Sequence, residues 1–459
     1  MLESAIFFRL FAMTLSADQI LALAPDAASA KAGSAQSGAA KWSGLGGHAQ
    51  ALWGLCQGSG KEPYRAQIDL AGPSFKCTCP SRKFPCKHGL GLYLLYARDA
   101  QAFTDTTAPA WVNDWLQSRA QRSEQKAAKV ELATPEDAAA KEQRQQKTQD
   151  KRASSVEGGL AILDIWLADL AQSGLAGLRS KPAQDWEAMA ARLVDTQAGG
   201  LAARLRRAGM RIYASSSSGW ETAVARELAQ IALLSQSYRR LTTLPALLQQ
   251  DVKSAIGWTV NQDDVLLAPG VQDHWQVFGN HTDLDARIGR RACYLRGRAT
   301  GRWAMLLQFS AGGQALPPPL LPGAVYQGTL HFYPGAAPLR VVFGSDVQMT
   351  PATSMPHSET RDTGTLLTGY AEALAANPFL EAFPMQFDGA VPQFDAGRWS
   401  LRSAAGALIP LQDGFRHGWQ LLAVAGGAPA NVFGVWDGIA LLPLSIACGA
   451  RLYILDGAP

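Results

Sequence analysis

The sequence has few features of an exported, membrane-spanning or strongly basic protein. Its 459 residues include only 6 cysteines, and the isolated positions of Cys56, Cys293 and Cys448 argue against a disulfide framework. No apolar run approaches the roughly 18 residues that a membrane helix needs. A net charge of +4 is too small for composition alone to indicate a nucleic-acid partner.

Motifs of the common enzyme classes are also missing. The sequence has no G-x-x-x-x-G-K-[ST] loop, no H-E-x-x-H pair, no G-x-S-x-G elbow and no G-x-G-x-x-G turn. Six of the 7 histidines are dispersed, and we interpret them as structural: His48, His274, His281, His331, His357 and His417. We predict that the protein is not an enzyme, has no small-molecule substrate or membrane partner, and resides in the reducing cytoplasm.

The first twelve residues, MLESAIFFRLFA, have only a weak likeness to a signal peptide, because Glu3 and Arg9 flank or interrupt the apolar run. Ser16 and Gln19 then form a capping pattern ahead of an apolar stretch. We therefore expect Met13 to be the true start, with residues 1–12 a start-site artefact or a tail.

A cysteine-rich segment is the most specific feature of the chain. Residues 77–88 read CTCPSRKFPCKH and contain half of the cysteines. Three thiols and one imidazole are the donor set of a closed, tetrahedral Zn²⁺ site, which leaves no coordination position for water. We predict one structural zinc ion held by Cys77, Cys79, Cys86 and His88. A chance cluster without metal is the less favoured alternative.

Local geometry divides this segment into two pairs. In an extended strand Cys77 and Cys79 would face the same side, with Thr78 facing away. Cys86 and His88 cannot both ligate from a regular helix, because residues two apart differ by about 200° around its axis. The pattern therefore predicts Cys86 just before a helix that runs from about Lys87 to Arg98, with His88 in the first turn.

This arrangement resembles the SWIM zinc finger, a family that includes free-standing bacterial proteins of about this length. The resemblance covers roughly Tyr64 to Tyr96, with a β-hairpin before the cysteines, and it implies the same four residues as zinc ligands. The remaining four-fifths of the chain is not covered by the motif. The family's proposed role implies a module that binds DNA or protein.

Basic residues beside the ligands fit contact with nucleic acid: Lys76, Arg82, Lys83 and Lys87. Alternatively, these residues only balance the charge of about −1 that three thiolates leave on Zn²⁺. A protein-interaction scaffold is a second hypothesis, and a redox-sensitive zinc switch is a third, less favoured one. The basic segment Leu201–Arg211 is interpreted as a solvated helix face rather than a phosphate track.

The pattern of apolar residues predicts an α+β fold with a zinc-bound hairpin and helix, a helical middle region and a β-rich C-terminal region. Ala27–Gly47, rich in Ala, Ser and Gly, is expected to be a loop. The predicted division of the chain is a zinc-binding domain at 13–105, a charged helical linker at 106–156, a helical domain at 157–255 and a β-rich domain at 256–459 with one helix near 364–376.

Overall fold

The computed structural model describes residues 17–21, 23–24, 27–48, 50–58, 62–70, 74–81, 83–119, 135–214, 220–284, 288–311, 316–350, 363–449 and 451–455. The predicted start at Met13 lies outside them. The predicted α+β class is confirmed, since an N-terminal sheet, a helical middle region and two C-terminal sheets follow one another along the chain. Within the described residues, no helix has the length and apolar character required to cross a membrane.

The N-terminal region is an antiparallel sheet covered by helices. Strands follow one another in the order β1 to β4, and the elements are α1 (Ala17–Leu21), α2 (Ala27–Ala35), β1 (Trp42–Gly47), β2 (Ala51–Cys56), β3 (Tyr64–Asp69), β4 (Ser74–Cys77), α3 (Lys87–Arg98) and α4 (110–119). The predicted α3 is confirmed, whereas the loop predicted for Ala27–Gly47 is wrong. There α2 packs closely on α3: a Cβ at Gly33 of α2 would lie only 2.7 Å from the Cβ of Leu90 of α3.

The middle region is a set of helices around their own apolar core. It comprises α5 (Pro135–Ser173), α6 (Ala183–Asp195), α7 (Gly199–Ala214), α8 (Trp220–Arg239) and α9 (Ala246–Ile256), followed by the short α10 (Gln262–Leu267). The core includes Leu160, Leu205 and Ile231, which are fully buried. Because α5 is continuous from residue 135 to 173, the linker boundary predicted at 156 falls inside a helix.

The C-terminal region begins with a barrel. Its strands are β5 (Val271–Leu284), β6 (Ile288–Gly297), β7 (Trp303–Ala311), β8 (Val325–Phe332), β9 (Arg340–Phe343) and β10 (Gln348–Thr350). Five of them close into a ring in the order β5, β6, β7, β9, β8, because β8 pairs with both β9 and β5. The pairing of β7 with β9 is parallel and the others are antiparallel. β10 extends the sheet beside β8.

A third sheet completes the fold. It contains β11 (Phe383–Asp395), β12 (Arg398–Arg402), β13 (Leu408–Pro410), β14 (Ala430–Trp436), β15 (Leu441–Cys448) and β16 (Arg451–Ile454). Helix α11 (Thr363–Ala376) precedes β11 in the chain, and helix α12 (Gly418–Ala425) lies between β13 and β14. Phe433 and Leu444 of this sheet share a core with Phe278 and Tyr294 on the outer face of the barrel. A separate continuous core joins the N-terminal sheet to the barrel interior.

Candidate metal centre

The predicted ligands come together where the β3–β4 hairpin meets α3. The four ligand atoms of Cys77, Cys79, Cys86 and His88 all lie within 4.8 Å of one another. Cys77 ends β4, so Cys79 lies in a bend beyond it rather than in a regular strand as predicted. On the other side, Cys86 is the N-cap of α3, and the Gly89 N–H donates to its Sγ at 3.5 Å.

This spacing fits a tetrahedral ion. Metal bonds of about 2.0–2.3 Å place the ligand atoms of such a site roughly 3.3–3.8 Å apart. The Sγ of Cys77 lies 3.7 Å from the Nδ1 of His88, within that range. The Cys₃His group is therefore positioned to hold one metal ion, and its soft sulfur donors suit Zn²⁺.

Aromatic residues enclose the cluster. The rings of Tyr64 and His88 have centroids 4.9 Å apart. Phe75, which is 6% exposed, lies beneath the first turn of α3, where a Cβ at Gly89 would come within 2.9 Å of its Cδ1. Its ring also meets those of Phe84 and Tyr93 edge to face. The helix start is consequently seated directly on the hairpin.

The cysteines differ in their affinity for protons. The hydrogen bond with Cys77 is the largest cause that lowers the pKa of Cys86 to about 4, and the His88 and Gly89 contacts act in the same direction. The same bond, followed by burial, raises the pKa of Cys77. Burial raises the pKa of Cys79. Cys77 and Cys86 therefore share one proton in their hydrogen bond, and a metal ion would displace that proton together with the proton of Cys79.

The predicted nucleic-acid contacts are only partly brought together. Lys83 and Lys87 are exposed on the spacer and at the first residue of α3. Lys76 is exposed as well, but strand alternation directs its side chain away from the face that carries Phe75 and Cys77. Arg82 lies outside the described residues.

The arginines of α7 form only in part the solvated face that the sequence suggested. Arg204 is buried, lies 3.0 Å from a carboxylate oxygen of Glu381, and donates to the Phe379 carbonyl at 2.9 Å. Arg207 reaches the same carboxylate at 2.8 Å. Two further pairs, Arg206 with Glu187 and Arg211 with Glu227, complete the set. The interpretation was wrong for Arg204, because its carboxylate partner is distant in sequence and its side chain joins α7 to the segment that leads into the third sheet. The other three arginines keep partly exposed side chains.

Sequence analysis also missed the supporting residues of the metal cluster. In the sequence Tyr64 only marks the start of the resemblance to the SWIM zinc finger, although its ring lies against the ligand histidine. Gly89 was not singled out. A glycine directly after a ligand histidine, in the first turn of an apolar helix, is a signal that this turn has no room for a side chain.

The comparisons with known proteins concern the middle region. A family model described as SWIM_C, the SWIM-associated four-helix bundle domain, matches residues 151–256. This match links the chain to the SWIM family. It covers the end of α5 and helices α6 to α9, and does not include the cysteine cluster. No curated protein matches the chain, and no solved structure matches it.

Proposed function

We propose that this chain is a zinc-binding recognition protein, in which one structural Zn²⁺ bound by Cys77, Cys79, Cys86 and His88 holds the hairpin to α3. The observation that carries the proposal is the convergence of these ligand atoms within 4.8 Å at the junction of two elements. Four protein ligands leave no position for a catalytic water, so the proposed role of the metal is structural. We propose that the protein is not an enzyme, since its sequence has none of the common catalytic motifs. Thiolate ligands suit the reducing cytoplasm that we propose as its location.

The SWIM assignment of the N-terminal unit is part of this proposal. It is supported by the hairpin, bend and helix around the four ligands and by the SWIM-associated domain elsewhere in the chain. Two independent segments of one chain thus point to the same kind of protein.

We propose DNA as the partner of the surface beside the metal. Three thiolates and Zn²⁺ leave a charge of about −1, which one cation would balance. Lys83 and Lys87 are both exposed beside the cluster, so these two cations already exceed the one that neutralisation requires. Phosphate contacts require such a surplus.

The test compares duplex binding across salt concentrations. Replacing Arg82, Lys83 and Lys87 by glutamine should weaken binding to a labelled duplex and reduce the salt slope by about 2.7, since each lost phosphate contact contributes roughly 0.9. Fluorescence anisotropy measures both quantities. A matched control replaces Lys147, Lys151 and Arg240, three exposed cations of the helical region. Equal slopes for the wild type and the first variant would contradict the DNA proposal and leave the zinc proposal intact.

A protein-interaction scaffold is the second candidate, and an exposed aromatic cluster on the third sheet favours it. Phe394, Trp399 and Trp419 have ring centroids 4.7–5.3 Å apart, and Trp419 is 64% exposed. Large aromatic side chains are enriched at protein interfaces. A pull-down with wild-type protein and with Trp419→Ala would identify a partner bound there. Unchanged capture by the variant would remove this support.

A further inference from the structure

One end of the barrel carries a set of arginines that the sequence did not single out. Two loops form this end, at 298–302 and 333–339. Arg296 lies opposite Trp303 in the β6–β7 ladder, and Met305 donates through its N–H to the Leu339 carbonyl at 2.7 Å. The Tyr333 N–H donates to the Arg340 carbonyl at 2.9 Å. These backbone pairings bring residues from four strands to one end of the barrel.

Three of the arginines lie over aromatic rings here. The guanidinium carbon of Arg302 is 3.6 Å from the ring centroid of Phe332, and that of Arg340 is 4.1 Å from the centroid of Tyr333. Arg296 lies 5.3 Å from the ring centroid of Trp303. All three rings are partly exposed. We call Arg296, Arg302, Phe332, Tyr333 and Arg340 the barrel-end surface.

Among the described residues, the carboxylates near this surface accept hydrogen bonds from the loops and do not pair with Arg302 or Arg340. Asp273 accepts the N–H groups of Ala299 and Thr300 at 3.0 and 2.9 Å, and it accepts the Thr300 hydroxyl at 2.7 Å. Asp251 accepts the Ala336 N–H at 2.7 Å. Within the part of the chain that the structure describes, neither Arg302 nor Arg340 forms an ion pair. Their positive charge is thus available on rigid loops.

Another face of the barrel is not accessible. Small five-stranded barrels that bind oligonucleotides use the face of their second and third strands. Here that face lies on β6 and β7, and its residues Tyr294 and Trp303 pack against Phe433 of the third sheet. The barrel-end surface lies beyond this contact and keeps its rings partly exposed.

We propose that the barrel-end surface binds single-stranded nucleic acid. Guanidinium N–H groups suit phosphate oxygens, and both aromatic rings and guanidinium planes are platforms on which unpaired bases stack. A duplex keeps its bases stacked inside, and an acidic peptide has no bases to stack on the planar groups. Neither ligand would therefore contact both the guanidinium groups and the aromatic rings of this surface. This site is separate from the metal cluster and does not rest on the DNA contact proposed there.

The experiment measures binding of a labelled single-stranded DNA of about 16 nucleotides, a length within the range that small barrels cover. The variant Arg302→Gln with Arg340→Gln should bind at least about tenfold more weakly, which corresponds to losing one stacked base. Its salt slope should fall by about 1.4, since each phosphate contact on a single strand contributes roughly 0.7. A matched control, Arg398→Gln with Arg402→Gln on exposed β12, should bind as the wild type does.

A second variant keeps the test decisive if the glutamine pair unfolds. Arg302→Lys with Arg340→Lys preserves charge but removes the stacked planes, so affinity should fall several-fold while the salt slope stays near that of the wild type. Wild-type protein that does not bind the strand at about 50 mM salt would overturn the proposal. So would glutamine and control variants of equal affinity, or a duplex bound as tightly as the strand through these arginines.

Discussion

Gly89→Ala is the sharpest test of how α3 is seated on the hairpin. The added methyl group would lie 2.9 Å from the Cδ1 of Phe75, closer than side chains pack without displacement. Phe75 cannot move freely, because its ring lies against Phe84 on one side and Tyr93 on the other. Overpacking of this kind costs about 1–3 kcal/mol.

The helix preference of alanine acts in the opposite direction. Alanine is about 0.8–1 kcal/mol more favourable than glycine inside a helix. We therefore expect Gly89→Ala to lower the free energy of unfolding by about 1 kcal/mol. Gly158→Ala is the matched control, because Gly158 lies exposed within α5 and nothing surrounds its added Cβ within 4 Å. That variant should raise the free energy of unfolding by up to about 1 kcal/mol.

Urea denaturation of the zinc-loaded proteins, followed by circular dichroism, measures both changes. The two variants should differ by about 1–3 kcal/mol, the cost of the clash alone. Zinc affinity of Gly89→Ala should also fall, because the clash with Phe75 displaces the turn whose residue 89 N–H donates to the Cys86 sulfur. If Gly89→Ala stabilised the protein as much as Gly158→Ala does, the contact with Phe75 would not limit this turn, and the reasoning would be refuted.

Three further outcomes are expected. Cys86→Ser should abolish stoichiometric zinc and lower the melting temperature, and retention of both properties would reject this ligand set. Zinc binding at neutral pH should release about two protons, one from the hydrogen-bonded pair of Cys77 and Cys86 and one from Cys79, and should weaken as pH falls. Calorimetry in buffers of different ionisation enthalpy measures the number of protons. Burial alone would raise the pKa of the Glu381 carboxyl, but Arg204, Arg207 and Arg290 together lower it. The ion pairs of Glu381 therefore stabilise the fold above the pKa that this carboxyl has in the unfolded chain, and this stabilisation is lost as the pH falls through its pKa in the folded protein. Glu381→Gln should thus lower the free energy of unfolding by about 1–2 kcal/mol at neutral pH, less than the loss of a fully buried pair would, because the Glu381 side chain is partly exposed. At low pH the substitution should leave the free energy of unfolding unchanged. Urea denaturation at both pH values measures the difference.

Structural features that depend on residues close together in the chain could be predicted from the sequence. The hairpin before the cysteines and the start of α3 just after Cys86 were predicted, since both depend on local geometry. The segment Trp42–Gly47 was not recognised as a strand, because its glycines have low strand propensity. Burial of Trp42 and the 2.7 Å hydrogen bond from its Nε1 to the Gln36 carbonyl anchor it instead.

Features that depend on distant segments were not accessible. The sequence indicated short strands beyond Gly257, but closure of the barrel requires β8 to pair with both β5 and β9. Nothing local specifies such a pairing. The ion pair between Arg204 and Glu381 joins residues far apart in the chain, so each looked like an ordinary surface residue in its own segment.

The position of α3 gives the proposed zinc ion an influence beyond its four ligands. The first turn of this helix carries His88 and Gly89 against the hairpin. Burial is the main cause that raises the pKa of Tyr326 in the barrel, and Tyr93 of α3 is near enough to add to that rise. One continuous core contains both tyrosines. Because α3 is only 12 residues long and buried on several sides, loosening its first turn would disturb its packing on the barrel as well. The surface beside the metal and the barrel-end surface thus belong to regions that share one core, and loss of zinc would affect both surfaces.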